Sequence, residues 1–369
     1  MPFIVQTKRE FVHHCISCTA VLIAFFGTTN SLLHAQNADT VSPASNANSQ
    51  TSDARGDSEA KDLGTVTFET TQKSVIVKRG ASVIAEYIFR SGNKPILWPV
   101  VGPTGDEMTR RHPMKPGDSA EKKDHPHHRS LWLTHGDVNG FDLWTEPKDK
   151  AGFGKKPGCG AVVHQDVLKT VPGTTGTLVT SAQWVDDSDK PMLKEIKTLQ
   201  FGADKIDGQL VYWVDLDATL TSLIDVNFGD TKEGTFGIRV PGRMKVDAKQ
   251  GGSILNSRGD QNKQSWGKTA EGVTYGGPVT GASGETIQAG ITIVNHPTSY
   301  GFPCRWHVRT YGLFAANPFG VHHFVGGDKT KGTNLPAGES IRLRYRVYLH
   351  PGGDASFPNH LWDHYKKTP

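Results

Sequence analysis

The chain has 369 residues and only four cysteines. Cys15 and Cys18 lie in the N-terminal segment, which leaves Cys159 and Cys304 for the rest of the protein. That permits one disulfide or two buried thiols, and it excludes a Cys-x-x-Cys zinc pair beyond the N-terminal segment. The usual catalytic and nucleotide signatures are also missing. No G-x-G-x-x-G follows a strand pattern, and there is no P-loop, no G-x-S-x-G elbow and no H-E-x-x-H. After residue 26 no run is long and apolar enough to cross a bilayer as a helix. An excess of one charge sign is lacking too: 41 Lys and Arg stand against 37 Asp and Glu, scattered along the chain. Such a balance leaves no nucleic-acid footprint.

The N-terminus reads as a targeting segment. Lys8 and Arg9 precede an apolar stretch from Cys15 to about Phe26, and Ala35 before Gln36 suits cleavage, so residues 1–35 are expected to be a signal peptide. The protein is then exported, to the periplasm or the extracellular space, with no membrane span in the mature chain. Residues 36–63 are rich in Ser, Asn, Ala, Thr, Asp and Gln, with little to bury, and are expected to form a disordered linker. Residues 64–369 are expected to form a single domain.

The pattern of that domain is β. Strand candidates are 74–77, 82–89, 161–167, 176–184, 195–201, 209–220, 235–240, 290–294, 305–313 and 340–350, separated by Gly, Pro, Asn and Asp clusters. No long amphipathic helix and no repeat interrupts them. The expectation is an all-β fold, a large antiparallel β-sandwich with few short helices. In 341–348, Ile341, Leu343, Tyr345 and Val347 alternate with Arg342, Arg344, Arg346 and Tyr348. The arginine face is expected to be solvated or to line a cleft.

Four histidines crowd one window, D-H-P-H-H-R-S-L-W-L-T-H-G-D-V-N-G-F-D-L-W at 124–144. Histidine exchanges protons near neutral pH and ligates metals, so this density marks a candidate site. Strand alternation from His127 would put His127, Arg129 and His135 on one face and His128 and Trp132 on the other, with His127 and His135 in the cleft and His128 in the core. Asn139-Gly140 is expected to make a tight hairpin turn. Neighbouring strand histidines point to opposite faces, so at most two could share an ion; no metal site and no cofactor is assigned, although a metal stays open. A second cluster holds His296, Trp306, His307, Arg309, Tyr311 and Asn317, and a third holds Glu233 before a strand.

His-Pro-His-His-Arg at 125–129, with Trp132 and 135–140, resembles an exported family labelled "methane oxygenase PmoA", also designated DUF6807. Residues 306–309 with 311–320, and 233–240, resemble further blocks of it. The label implies a metal-dependent oxidoreductase. The methane monooxygenase subunit of that name spans the membrane with several helices, which this chain lacks after its N-terminal segment, so methane oxidation and copper are not carried over. The β-rich pattern is similar to the galactose-mutarotase-like supersandwich, a fold of aldose epimerases, polysaccharide lyases and some glycosidases.

That likeness implies a carbohydrate-active protein of epimerase, lyase or hydrolase type, with a carbohydrate ligand as partner. The acid is expected among His127, His128, His135, His296 and His307, and the base is Glu233 or Asp137. Arg129, Asn139, Arg309, Tyr311 and Asn317 would hold polar groups of the sugar, and Trp132 and Trp306 would stack on its rings. A glycan-binding module without catalysis needs the same aromatics but no acid/base pair.

Overall fold

A computed structural model describes residues 63–117, 119, 121–146, 158–353 and 359–368. The expected signal peptide and all but the last residue of the expected linker lie outside the described residues. Eighteen strands are described. In chain order they are β1 (Val66–Thr70), β2 (Ser74–Arg79), β3 (Ser82–Ser91), β4 (Lys94–Val100), β5 (Leu131–His135), β6 (Ala161–Val171), β7 (Gly176–Val185), β8 (Pro191–Ile206) and β9 (Gln209–Ser222). They continue as β10 (Val226–Phe228), β11 (Gly234–Arg239), β12 (Ser253–Asn256), β13 (Gly272–Thr280), β14 (Thr286–Asn295), β15 (Arg305–Val308), β16 (Leu313–Asn317), β17 (Thr333–Leu335) and β18 (Ser340–Pro351). Two short helices follow the same order, α1 (His322–Val325) and α2 (Asn359–Tyr365).

The strands form an antiparallel β-sandwich. The first sheet runs β1-β2-β3-β4-β5-β11-β16-β15, the second runs β12-β13-β14-β18-β9-β8-β7-β6, and β10 pairs with β17 in a small ribbon. Period-two patterning decides which side chains meet between the sheets. Val214, Leu216, Ala218 and Leu220 of β9 enter the core, as do Leu343, Tyr345, Val347 and Leu349 of β18 and Leu131, Leu133, Phe236, Ile238, Trp306, Val308, Phe314 and Ala316 of the first sheet. Cys159 and Cys304 are buried without a disulfide between them.

The arginine face of β18 is split: Arg342 is solvated, as one of the two expectations had it, while Arg344 and Arg346 are buried. Helix α2 packs Leu361 and Tyr365 onto this outer side, beside Trp213 and Tyr348. Arg346 donates two hydrogen bonds to Asp215, its cross-strand partner, from Nε at 2.5 Å and Nη2 at 2.7 Å. Opposed charges on adjacent strands satisfy each other once a helix excludes water. His296 belongs to this same face: its Nε2 lies 3.0 Å from the Thr368 carbonyl and its ring is edge-on to Tyr365.

Two local irregularities redirect the site residues. Ser130 has φ +56°, which breaks the alternation expected across 127–135. A left-handed residue reverses the chain locally, so β5 begins only at Leu131. The segment 305–313 is likewise not one strand. Arg309 and Leu313 close a turn, with Arg309 N–H on the Leu313 carbonyl at 2.7 Å, and Gly312 at φ +101° supplies the bend between β15 and β16.

Candidate functional site

The outer face of the first sheet carries a small apolar cluster of its own: Ile96, Trp132, Trp144, Leu313 and Ala315, with Trp98, Met114 and Tyr311 packed beside it. Trp132 can lie flat there because its neighbour on β11 is Gly237. A Cβ on Gly237 would meet the Trp132 ring at 2.7 Å.

On this floor the histidines form a run of near-parallel rings. Tyr311 stacks on His125 at 5.3 Å, His125 on His128 at 4.9 Å, and His128 on Trp132 at 5.5 Å. His127 stands edge-on to both His125 and His128. His125 is exposed, His127 and Tyr311 are half-buried, and His128 is buried. The expected faces are therefore exchanged in part: His127 and His128 share the outer face, and His135 turns to the core. Its ring lies among Phe228 and Phe319, and its Nε2 donates to the Gly229 carbonyl at 2.8 Å.

The tautomer of His128 follows from its partner. Arg239 Nη1 is 2.9 Å from His128 Nδ1, and a guanidinium only donates, so Nδ1 accepts and the proton sits on Nε2. That Nε2 is buried with no partner, as are the indole N–H groups of Trp132 and Trp144. Burial, followed by the charge of Lys94, pushes His127 down to about 3; His128 is held well below the usual histidine value by burial and by His127. Both are neutral at pH 7.

Charged groups surround the stack. Asp124 Oδ1 accepts from Arg110 Nη1 at 3.0 Å and from Arg239 Nη2 at 2.8 Å. The Arg239 guanidinium lies 4.8 Å from the Tyr311 ring. Glu146 Oε1 accepts from Arg129 Nε at 2.6 Å and from Lys94 Nζ at 3.3 Å. Burial lowers Lys94 to about 8, with Glu146 opposing. On the opposite rim Arg309 lies 5.5 Å from the Trp266 ring and 5.6 Å from that of Tyr311. Glu233 is paired with Lys232 at 2.8 Å, and its charge bears on both Tyr311 and His323.

The structure thus brings together His127, His128, Trp132 and Tyr311, with Arg309 against Tyr311; Arg129 is held by Glu146 and Ser91, and Glu233 acts on Tyr311 through its charge. It assigns other expected residues elsewhere. His296 is on the outer side of the second sheet. Trp306 is in the core with its N–H on the Ala270 carbonyl, and Trp132 is fully covered, so neither indole offers a face for stacking. Half-buried Trp266, not singled out from sequence, sits at the rim instead.

Asn139 and Gly140 do form the expected tight turn, with φ +54° and +84°. Asn139 is spent on that corner, accepting from Asn227 N–H at 2.7 Å and donating to the Asp225 carbonyl at 3.0 Å. Asp137 accepts from Gly140 N–H within the same turn. Asn317 is buried and holds the Glu233 loop: it donates to the Thr231 and Lys232 carbonyls at 2.9 and 3.1 Å. His307 lies buried beneath this rim, near Phe324, lowered to about 3 by burial and then by Arg309.

Gly136 fixes how closely Glu233 approaches β5. A Cβ there would stand 2.7 Å from Glu233 Cβ and 2.9 Å from its carbonyl oxygen. Overpacking of this kind costs about 1–3 kcal/mol. Gly136→Ala is expected to lower the unfolding free energy by that amount in urea denaturation; an unchanged midpoint would show that the loop yields freely.

Acid has a signed effect. His135 is lowered to about 4, chiefly by burial, and His307 to about 3. A depressed folded pKa gives stability that is complete above the unfolded value near 6.5 and declines as pH falls toward the folded one. Each such histidine contributes a slope of about 1.4 kcal/mol per pH unit in that window. Stability is expected to fall between pH 6.5 and 4, and more shallowly in His135→Gln, compared from its own baseline. Parallel profiles for the two proteins would contradict this assignment.

Copper, implied by the methane-oxygenase label, does not fit this donor set. Parallel stacked rings keep their nitrogen lone pairs in separate planes, His128 Nδ1 is occupied by Arg239, and His125 Nδ1 faces Asp124 at 3.1 Å. Among the described residues no three His, Cys, Asp or Glu side chains are placed to hold a metal ion.

One family model matches, over residues 74–360, and its description is a family of unknown function, DUF6807, without the methane-oxygenase label. A search among curated proteins returned no match. Among solved structures, a polysaccharide lyase matches at 13% identity and TM-score 0.26, covering 79% of this chain and 33% of the lyase. This chain thus spans about a third of the length of that enzyme. A galactose mutarotase related enzyme from Lactobacillus acidophilus matches at 9% identity and TM-score 0.28, covering 79% of this chain and all of the other.

Proposed function

The chain belongs to the DUF6807 family, and we propose that it is an exported carbohydrate-active enzyme working on the outer face of its first sheet. The observation that carries this reading is half-buried His127 standing edge-on to the stacked rings of His125 and His128, held neutral chiefly by burial, with the charge of Glu233 acting on Tyr311 at the other end of the stack. A neutral histidine at the edge of a ring stack, with a carboxylate acting on the far end of that stack, supplies two groups that can exchange protons with a ligand. Neutral His127 accepts a proton from the substrate and, once protonated, returns it to the product. Glu233 serves as the second proton-transfer group. Tyr311, Arg309 and Trp266 offer the mixed aromatic and hydrogen-bonding rim that sugar hydroxyls and ring faces use.

His128 is a positioning residue in this scheme. Arg239 fixes its tautomer, and its ring carries His125 and abuts His127. The experiment is a turnover screen of the purified protein against polysaccharides and their oligosaccharides, covering eliminative, hydrolytic and epimerising products. Turnover of at least one glycan, abolished in Glu233→Gln, supports the reading. Binding without turnover would convert the protein to a glycan-binding module, and the absence of both would end the carbohydrate reading.

A further inference from the structure

We infer that the ligand of this site carries an anionic group, a carboxylate or sulfate ester on the sugar, recognised by a fixed excess of buried positive charge. The inference rests on the proposed carbohydrate reading and deepens it. Its basis is stoichiometry. Asp124 is shared by Arg110 and Arg239, and Glu146 by Lys94 and Arg129. Four cations therefore meet two carboxylates. Widening the circle adds Lys122 and Lys245, but also Glu121, Asp247 and Asp142, so the excess narrows and stays positive.

Three of these cations are nearly inaccessible: Lys94 is 0% exposed, and Arg110 and Arg239 are each 1% exposed. Backbone carbonyls satisfy much of their hydrogen bonding. Arg110 donates to the carbonyls of Asp124, His125 and His128, and Lys94 to that of Trp144. Carbonyls do not cancel net charge, and uncompensated buried charge is costly enough that folds rarely keep it without a use. The field it creates reaches a cleft far better than the field of exposed lysines, because low-dielectric walls screen it little.

A second observation points the same way. Most of the orphaned buried polar atoms around the stack are donors: Trp132 Nε1, Trp144 Nε1, His128 Nε2, Arg110 Nε and Arg239 Nε, with His112 Nε2 and His307 Nδ1 also without a partner. The region is short of acceptors as well as of negative charge. An anion at the exposed edge of the stack, by His125 and His127, supplies negative charge to this region. Its binding also shifts His127 towards a stronger base, so the ligand helps to activate the group that acts on it.

The test uses isothermal titration of the purified protein with three hexasaccharides: an oligogalacturonate, a sulfated galactan and a neutral galactan. The anionic ligands are expected to bind at least about tenfold more tightly than the neutral one, and to weaken on raising NaCl from about 0.05 to 0.5 M, as screening requires. Preference for one anionic arm identifies carboxylate or sulfate as the group. Arg309→Gln, a change at the half-buried rim, is expected to weaken anionic binding several-fold and to weaken neutral binding by a smaller factor; equal losses for both ligands would count against a charge-specific role. Equal or tighter binding of the neutral sugar would overturn the inference while leaving the carbohydrate reading intact. Failure of all three to bind would overturn both.

Discussion

His127→Gln is expected to lower turnover of a glycan substrate by about a hundred- to ten-thousand-fold, the usual consequence of losing a positioned acid or base. Stability should change by only about half a kcal/mol, since the ring is half-buried at a loop and stands edge-on to its neighbours. The paired control is His128→Gln. That ring is buried, stacked on Trp132, and accepts from Arg239 at 2.9 Å. Losing a hydrogen bond from a charged donor costs about 1.5–3 kcal/mol. The two substitutions should therefore separate, one in rate and the other mainly in stability. Urea denaturation and initial rates on both variants check this. Loss of stability in His127→Gln without a specific fall in rate would make the residue structural.

The second large effect concerns the floor. Trp132→Ala removes a side chain that is 1% exposed, packed against Trp144 at 5.0 Å and under His128. Truncating a buried tryptophan costs about 3–5 kcal/mol, because the cavity does not refill. Here Gly237 offers no side chain to collapse into the space. The ring stack should lose its support as well, so ligand affinity should fall together with the unfolding free energy. A loss below about 1 kcal/mol in equilibrium denaturation would mean that the outer-face cluster is not a packed unit.

Much of the fold was legible because alternation is a local property. β9 reads Val214, Leu216, Ala218 and Leu220 towards the core, with Asp215 and Asp217 between them, and that pattern needs no partner to be seen. The coverage of Arg344 and Arg346 was not legible. It depends on α2, which comes back across the sheet from residues 359–365, a contact no local pattern encodes. The short strands β10, β12 and β17 gave too few residues for a period to show.

The site was legible as a cluster and not as a geometry. The density of histidine at 125–128 was visible, but the side each one faces was decided by a left-handed Ser130, which is not a residue type that announces such a conformation. Reading 305–313 as one strand missed the turn at Gly312, and with it the swing of Arg309 and Tyr311 to the same rim as His125. Asn139 and Asn317 looked like ligand-binding amides. Both are consumed by backbone groups of loops that only the fold brings near. Lys94, Arg110, Arg239 and Glu146 were missed as site residues for a related reason. They are far apart in sequence, and their meaning lies in the shared carboxylates, which only tertiary structure reveals.

The most direct test of the central claim, that ligand binds on the outer face of the first sheet at the histidine stack, is nitrogen NMR of histidine-labelled protein during titration with a bound oligosaccharide. Histidines are distributed over both sheets, so each face has its own reporters. Resonances of His125, His127 and His128 are expected to shift with ligand, while His296 and His350, on the second sheet, stay in place. Shifts confined to His296 or His350, with the three stacked rings unmoved by a ligand that demonstrably binds, would contradict the account.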